Sequence, residues 1–209
     1  MKNSSMDDML EAGIDEAGRG CLVGRVYSAA VILPHTYTDD IYLGIKDSKK
    51  LSAKKRQELR LYIENIAVDY SVQYADIEEI EEKNILHATI ASMHRCVGAL
   101  RVEPENILVD GNYFKQYKDP HGIIIPHQTV EKGDNIYRNI AAASILAKVY
   151  HDEHVADLLK RHPEYERYGW QTNMCYATKV HLDAIKTYGI TEYHRKSFGI
   201  CKDYPIKKI

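Results

Sequence analysis

Short apolar strands alternate with longer amphipathic helices along this chain, and that alternation most restricts the folds open to it. Residues 26–33 predict a buried strand that Pro34 ends. Residues 107–109 predict a short central strand that leads into Asp110. Because strands interleaved with helices bury their apolar faces as layers, the sequence predicts a layered α/β domain.

Four helices are predicted around these strands. The first follows Ser52, which is a suitable N-cap, and the others cover residues 86–100, 135–160 and 178–189. The third helix contains the run Ile140-Ala-Ala-Ala-Ser-Ile-Leu-Ala147, whose small side chains allow a helix to approach a sheet closely. No repeat or linker interrupts the 209 residues, so we expect one folding unit.

Composition excludes several classes of protein. No apolar run approaches the ~20 residues that a membrane span needs, and the first residues contain no apolar signal region. The four cysteines form no C-x-x-C pair, so we expect a reducing cytoplasm, no disulfide framework and no zinc site. The net charge of −2 gives no overall attraction to nucleic acid. A polyanion must therefore be bound by a local patch or through metal ions.

Two adjacent acids, Asp15 and Glu16, lie in the motif Gly13-Ile-Asp-Glu-Ala-Gly-Arg-Gly20. Neighbouring side chains on an extended strand point to opposite faces, so both reach one cation only where the strand ends or bends, which the glycines permit. An acid pair taken alone is more often a solvated turn after an edge strand.

Two further acids stand near predicted element ends. Asp110 follows a strand, and open α/β sheets bind ligands at strand ends. Asp134 opens the third helix, where a role as helix N-cap is an alternative of nearly equal weight. Four carboxylates in one pocket would repel one another unless cations neutralised them. The sequence therefore predicts a site for Mg²⁺ or Mn²⁺, which prefer oxygen ligands.

Seven motifs in the same order resemble those of ribonuclease HII, the type 2 ribonuclease H family, along nearly the whole chain. They are Gly13-Ile-Asp-Glu-Ala-Gly-Arg-Gly20, Lys46-Asp-Ser-Lys-Lys-Leu-Ser52, Asn84-Ile-Leu-His-Ala-Thr89, Val109-Asp-Gly-Asn112, Lys132-Gly-Asp134, Ala141-Ala-Ala-Ser-Ile-Leu-Ala-Lys148 and Tyr193-His-Arg-Lys-Ser-Phe198. The resemblance implies a ribonuclease H-like fold, with a mixed central sheet flanked by helices in residues 1–165. Residues 166–209 would form a small C-terminal helical segment packed on this catalytic domain.

The resemblance also implies an activity. The chain would be a cytoplasmic endoribonuclease that hydrolyses the RNA strand of RNA–DNA hybrids. It would also incise duplex DNA on the 5′ side of a single embedded ribonucleotide, as part of DNA replication and repair. Hydrolysis with two divalent ions, Mg²⁺ or Mn²⁺, would leave 3′-hydroxyl and 5′-phosphate ends. A monomer without a membrane partner is expected.

The family's functional residues map onto three groups in this chain. The metal-binding carboxylates, which would also be the catalytic residues, fall on Asp15, Glu16, Asp110 and Asp134. The loop that senses the 2′-hydroxyl, largely with its backbone, is Gly18, Arg19 and Gly20. The tyrosine that stacks on the sugar of the following deoxynucleotide is Tyr176, from a Tyr-x-Thr-x-x-His pattern. Expected phosphate contacts are Lys49, Lys50, Lys148 and Arg195, although each alone is more often a surface charge.

One stretch departs from the family pattern. Relatives usually have Lys-Gly before the tyrosine, whereas this chain has Met174-Cys175. Loss of the lysine removes a phosphate contact, and loss of the glycine disfavours a positive φ angle. Alternatively, both residues pack against neighbours and Lys179 replaces the missing charge.

Other functions stay open at this stage. A non-catalytic RNA–DNA hybrid-binding module is disfavoured because it has no need of clustered anions facing a polyanion. A nuclease that ignores the 2′-hydroxyl is disfavoured by the residues 18–20 and by Tyr176. The related type HIII enzymes are a nearer alternative, but their additional N-terminal domain has no counterpart among these 209 residues.

Overall fold

A mixed five-stranded sheet forms the centre of the computed structural model, which describes residues 1–2, 5, 9–36 and 39–207. Its strands are β1 (Glu11–Ala17), β2 (Val26–Ile32), β3 (Asp69–Ala75), β4 (Asn106–Asp110) and β5 (His127–Val130). The strand order is β3-β2-β1-β4-β5. β2 is antiparallel to β1 and β3, whereas β4 is parallel to β1 and β5. The predicted α/β class with a mixed central sheet is confirmed.

Six α-helices are present in the described residues. They are α1 (Asp40–Leu43), α2 (Ala53–Ile66), α3 (Ile77–Gly98), α4 (Arg138–Arg161), α5 (Trp170–Asn173) and α6 (Lys179–Tyr188). Ser52 caps α2 as predicted, because its hydroxyl accepts from the Lys55 backbone N–H at 3.2 Å. α3 begins well before the predicted residue 86, since Asp76 caps an extra stretch that is joined to the rest through a kink at Asn84, where φ is 64°. Apolar spacing alone did not reveal that stretch.

α4 packs on β1 with main chain against main chain. A Cβ atom on Gly13 of β1 would overlap the Asn139 carbonyl carbon and the Ile140 nitrogen, so only glycine fits there. The Asn139 side chain fixes the contact further: its Oδ1 accepts from Leu33 N–H at 3.0 Å and its Nδ2 donates to the Glu11 carbonyl at 2.9 Å. The small residues at the start of α4 therefore serve the close helix-to-sheet approach that was predicted.

A second apolar cluster joins the C-terminal elements to the segment that follows β1. Trp170 and Tyr168 are completely buried and stack with ring centroids 5.5 Å apart, and Cys21 and Val23 belong to the same cluster. The cluster also includes Val155 of α4. The division into residues 1–165 and 166–209 stays a prediction. In the parts of the chain that the structure describes, no helix has both the length and the apolar character to cross a membrane.

Candidate active site

A pocket of about 380 Å³ lies at the carboxyl end of β1, beside α4. Most of the predicted site residues meet here. Its lining residues are Asp15, Glu16, Ala17, Gly18, Arg19, Gly20, Ser48, Lys49, Ser144, Lys148 and Tyr176. The pocket therefore brings the first acid pair, the Gly-Arg-Gly loop (residues 18–20), two lysines and the predicted stacking tyrosine to one opening.

Asp15 is one of the buried residues among the predicted metal ligands. Burial raises the pKa of its carboxyl group well above the usual range, and the charges of Glu16 and Asp110 raise it further. Ser144 donates a hydrogen bond to Asp15 and opposes that shift, as does the Glu16 backbone N–H at 2.7 Å. Burial also raises the pKa of Glu16, against the attraction of Arg19, whose guanidinium lies 3.3 Å from the Glu16 carboxylate.

Asp110 and Asp134 approach the same region from β4 and from the turn before α4. The Asp110 carboxylate accepts from the Gly133 backbone N–H at 2.7 Å, which ties β4 to that turn. Burial raises the pKa of Asp134, and the charge of Asp110 raises it further. The alternative role of Asp134 as helix N-cap is wrong, because α4 begins after Tyr137 without any side-chain cap.

The donor chemistry of these four residues fits hard divalent cations. All four are carboxylates, and the mutual repulsion that raises the pKa of Asp15 and Asp134 is the term that a bound cation would remove. Within residues 1–2, 5, 9–36 and 39–207, no group of three or more His, Cys, Asp or Glu side chains is arranged so that it could hold a metal ion.

The Gly-Arg-Gly loop packs against the imidazole of His151. Gly18 has a φ of +84°, and a Cβ atom there would lie 2.7 Å from His151 Nε2. Both the positive φ and the lack of space beside His151 therefore exclude a side chain at position 18. His151 is itself buried, and its Nδ1 donates to the Asp152 carboxylate at 3.1 Å.

Tyr176 lines the pocket beside the Gly-Arg-Gly loop. Its side chain is 39% exposed, and its ring lies 3.7 Å from the position that a Cβ atom on Gly20 would occupy. The Lys148 ammonium is 5.8 Å from the ring centroid and forms an ion pair with Asp152 at 2.7 Å. An exposed aromatic face beside a cation suits stacking on a nucleotide.

The other predicted phosphate contacts are placed differently from one another. Lys49 is exposed and lines the pocket. Lys50 is exposed too, but its ammonium contacts Asn135 and lies 3.8 Å from the Asp47 carboxylate, outside the pocket lining. The position of Lys49 therefore suits the predicted phosphate contact better than the position of Lys50 does.

The structure contradicts the predicted role of Arg195 as a phosphate contact. The side chain is 0% exposed, so it does not reach phosphate at the surface. Its three nitrogen atoms donate instead to the backbone carbonyls of Gly18 at 2.8 Å, Gly24 at 2.9 Å and Arg19 at 3.0 Å.

The Met174-Cys175 segment keeps the backbone shape expected of a glycine. φ is 47° at Met174 and 67° at Cys175, so the positive φ is kept although the glycine is absent. Neighbours hold the conformation: the Cys175 N–H donates to Asn173 Oδ1 at 2.9 Å, and its carbonyl accepts from Leu22 N–H at 2.9 Å. The Met174 side chain packs at the edge of the C-terminal cluster, which favours the packing alternative.

A chain of buried imidazoles leads to the backbone of Tyr176. The Thr191 N–H donates to His194 Nδ1 at 2.9 Å, so His194 Nε2 carries the proton and donates to His181 Nε2 at 3.2 Å. Trp170 donates to the same His181 nitrogen at 3.1 Å, and His181 Nδ1 donates to the Tyr176 carbonyl at 3.0 Å. The hydrogen bonds thus require both histidines to be neutral.

Sequence reasoning missed three contributors to the site: Ser144, His151 and the real partners of Arg195. Ser144 stands out only as the single polar residue in the small-residue run of α4. His151 carries no local signal, because only the tertiary structure brings it to Gly18. His194 and Arg195 lie in the motif Tyr193-His-Arg-Lys-Ser-Phe198, so their importance could be expected, but their contacts could not.

The imidazole chain predicts acid sensitivity. Burial lowers the pKa of His181 to about 4 and of His194 to about 3, below the unfolded value near 6.5. The folded state then binds fewer protons, so stability is complete above about pH 6.5 and is lost as pH falls toward 4. We expect each histidine to cost about 2 kcal/mol of unfolding free energy between about pH 7.5 and pH 5.

Denaturant titrations at those two pH values would measure this loss. Between these two pH values, the unfolding free energy of His194→Gln should fall by about 2 kcal/mol less than that of the unchanged protein. His121→Gln, at an exposed position, should match the unchanged protein. Equal losses in all three proteins would contradict the assignment.

Comparisons with known proteins identify related sequences and structures. A family model described as Ribonuclease HII matches residues 12–201. The chain is 50% identical over 191 residues to a ribonuclease HII of Parabacteroides distasonis, covering 91% of this chain and 90% of that protein. The ribonuclease H2 of Pyrococcus horikoshii OT3 has a similar structure, with a TM-score of 0.77, 24% identity and coverage of 93% of this chain and 96% of that one. Bst-RNase HIII, solved in complex with Mn²⁺, has a TM-score of 0.69 at 20% identity, and the match covers 95% of this chain and 70% of that one.

Proposed function

The chain belongs to the ribonuclease HII family, and from this premise we propose that it incises duplex DNA on the 5′ side of a single embedded ribonucleotide. Members of the family are metal-dependent ribonucleases H that act on RNA–DNA hybrids, and this chain is an enzyme of that class. Products with 3′-hydroxyl and 5′-phosphate ends are part of the proposal.

One observation carries the proposal: hydrolytic and recognition groups share a single pocket. Asp15 and Glu16 line it together with the Gly-Arg-Gly loop and Tyr176. A module that only bound hybrids would gain nothing from buried acids facing a phosphate backbone, because they repel it. A nuclease blind to the sugar would have no need for a loop whose glycines expose main chain at the same opening.

We assign metal binding to Asp15, Glu16, Asp110 and Asp134. Two divalent ions held by these residues, Mg²⁺ or Mn²⁺, would lower the pKa of the attacking water and stabilise the leaving 3′-oxygen. Asp15 is the candidate for the central ligand, since its carboxylate feels the charges of both Glu16 and Asp110. Ser144 orients Asp15 by donating to it. No side-chain nucleophile is required.

Recognition is assigned to the other wall of the pocket. The Gly-Arg-Gly loop would sense the 2′-hydroxyl through its main chain, because that hydroxyl both donates and accepts hydrogen bonds and distinguishes RNA from DNA. The Tyr176 ring would stack on the sugar of the next deoxynucleotide. Lys49 and Lys148 would bind phosphates that flank the scissile bond.

Tyr176→Ala should slow single-ribonucleotide incision at subsaturating substrate about tenfold or more, because lost stacking is worth ~1–3 kcal/mol. The melting temperature should change little, since the ring is 39% exposed. Tyr188→Ala is a matched control: Tyr188 is 41% exposed and lies at the end of α6, outside the pocket lining. Equal incision rates for the two variants would mean that another residue performs the stacking.

The proposal as a whole is tested with duplex DNA that contains one ribonucleotide. We expect a cut on its 5′ side with Mg²⁺ or Mn²⁺, and none with a chelator. The same assay on a long RNA–DNA hybrid and on an all-DNA duplex separates the alternatives. Binding without cleavage would indicate a hybrid-binding module, and cleavage of the all-DNA duplex would indicate a nuclease that ignores the sugar.

A further inference from the structure

Arg195 is anchored to the main chain of the segment that forms the recognition loop. Its guanidinium donates to the carbonyls of Gly18 and Arg19, and its Nε donates to the carbonyl of Gly24. The carbonyls that Arg195 contacts therefore lie on both sides of Cys21 in the sequence. Since the guanidinium is planar, three simultaneous bonds fix the directions of these carbonyls.

The other side of the loop is fixed as well. The His151 imidazole occupies the space beside Gly18, so the loop does not recede into the protein. A carbonyl that points inward to Arg195 leaves the N–H of the same peptide group pointing the opposite way, because the peptide unit is planar and trans. Arg195 therefore helps to set which groups of this loop are free to meet a ligand, together with the Cys21 N–H, which donates to the Gly18 carbonyl at 3.2 Å.

The residue before Arg195 is linked to Tyr176, which lines the pocket beside the loop. His194 donates to His181, which donates to the Tyr176 carbonyl. Backbone bonds join the same parts: Arg195 N–H donates to the Leu22 carbonyl at 2.8 Å, and Leu22 N–H donates to the Cys175 carbonyl at 2.9 Å. His194 and Arg195 thus hold the Gly-Arg-Gly loop and Tyr176 at a fixed distance from each other.

We propose that Arg195 is a positioning residue for sugar discrimination, and that with His194 it fixes the Gly-Arg-Gly loop relative to Tyr176. This inference rests on the proposed function, in which the loop and the ring read consecutive sugars. It differs from a general structural role because its loss reduces the preference for a ribonucleotide more than it reduces affinity for nucleic acid as such. It also differs from phosphate binding, because a buried guanidinium that donates to three carbonyls adds nothing to the salt dependence of binding.

Arg195→Lys and Arg195→Gln test the proposal. Lysine keeps the charge and most of the apolar stem, but its single ammonium does not reproduce the planar fork that meets three carbonyls. Arg138→Lys is the matched control, because Arg138 is also buried and donates to the backbone carbonyls of Tyr42, Leu43 and Ile45, which are far from the loop in sequence.

Three quantities are measured for each protein. They are kcat/KM for single-ribonucleotide incision, the ratio of dissociation constants for the ribonucleotide-containing duplex and the same all-DNA duplex in chelator, and the salt dependence of binding to the all-DNA duplex. We expect both Arg195 variants to lose at least about tenfold in kcat/KM and to bring the ratio close to one. Affinity for the all-DNA duplex and its salt slope should not change, and Arg138→Lys should keep the ratio of the unchanged protein.

Two results would overturn the inference. If Arg195→Lys kept both kcat/KM and the ratio, the planar fork would not matter. If Arg195→Gln weakened both duplexes equally and lowered the log–log salt slope by about 0.9, Arg195 would be a phosphate contact after all. Failure of the proposed function itself has a separate signature, since the unchanged protein would then show no ribonucleotide preference.

Discussion

Asp110→Asn should lower the rate of hydrolysis at least about a thousandfold while the protein stays folded. A divalent ion contributes several kcal/mol to such a reaction, and about 4 kcal/mol corresponds to roughly a thousandfold in rate. The fold should survive, because the asparagine oxygen is still able to accept the hydrogen bond from Gly133 N–H. Removing a negative charge beside phosphate should leave substrate affinity equal or higher.

Single-turnover cleavage at saturating Mg²⁺ and the melting temperature would be measured for this variant. Asp157→Asn is the control for the chemical change, since Asp157 is an exposed carboxylate on α4 that pairs with Lys160. It should cleave at the rate of the unchanged protein. Near-normal turnover by Asp110→Asn would remove Asp110 from the ligand set.

Gly18→Ala should reduce single-ribonucleotide incision by roughly a hundredfold, the penalty expected when a reacting group is displaced by about 1 Å. The added methyl group would meet the His151 ring, so the loop has to move outward into the pocket. A positive φ on alanine adds about 1 kcal/mol of strain. The loss in rate should exceed what the loss of stability explains.

Gly122→Ala isolates the part of this effect that comes from backbone strain. Gly122 has the same φ of +84°, but no atom lies within 4 Å of the position of an added Cβ. It belongs to a turn outside the pocket lining. We expect both variants to lose similar stability from φ and only Gly18→Ala to lose incision. Parallel losses of incision in both would show that overall stability, and not the loop, governs the rate.

The layered architecture and the proximity of Asp15 to Asp110 could be predicted because both depend on local rules. Apolar runs predict β2 and β4, and the position of Asp110 after a strand predicts that it contributes to the site. Those signals are short-range, since the residues that define each one lie within a few positions of one another. The prediction for Asp134 was less secure because a carboxylate before a helix suits two roles.

Arg195 and Cys175 show where local rules fail. A basic residue in a motif suggests a surface contact, and only packing over a long sequence separation places Arg195 beneath residues 18–24. Cysteine disfavours positive φ by itself, yet hydrogen bonds from Leu22 and to Asn173 hold Cys175 in that region. In both cases the hydrogen-bond partners include residues that are distant in the sequence. The type of the residue alone does not predict them.

The main-chain contact between Gly13 and α4 also bears on how this enzyme tolerates change. Side chains that separate a helix from a sheet are able to exchange rotamers, whereas two backbones in contact have none to exchange. Asp15 and its donor Ser144 lie on the two sides of this contact, on β1 and α4. Their separation is therefore set by the backbones themselves, so a larger side chain at position 13 would displace Asp15 from Ser144.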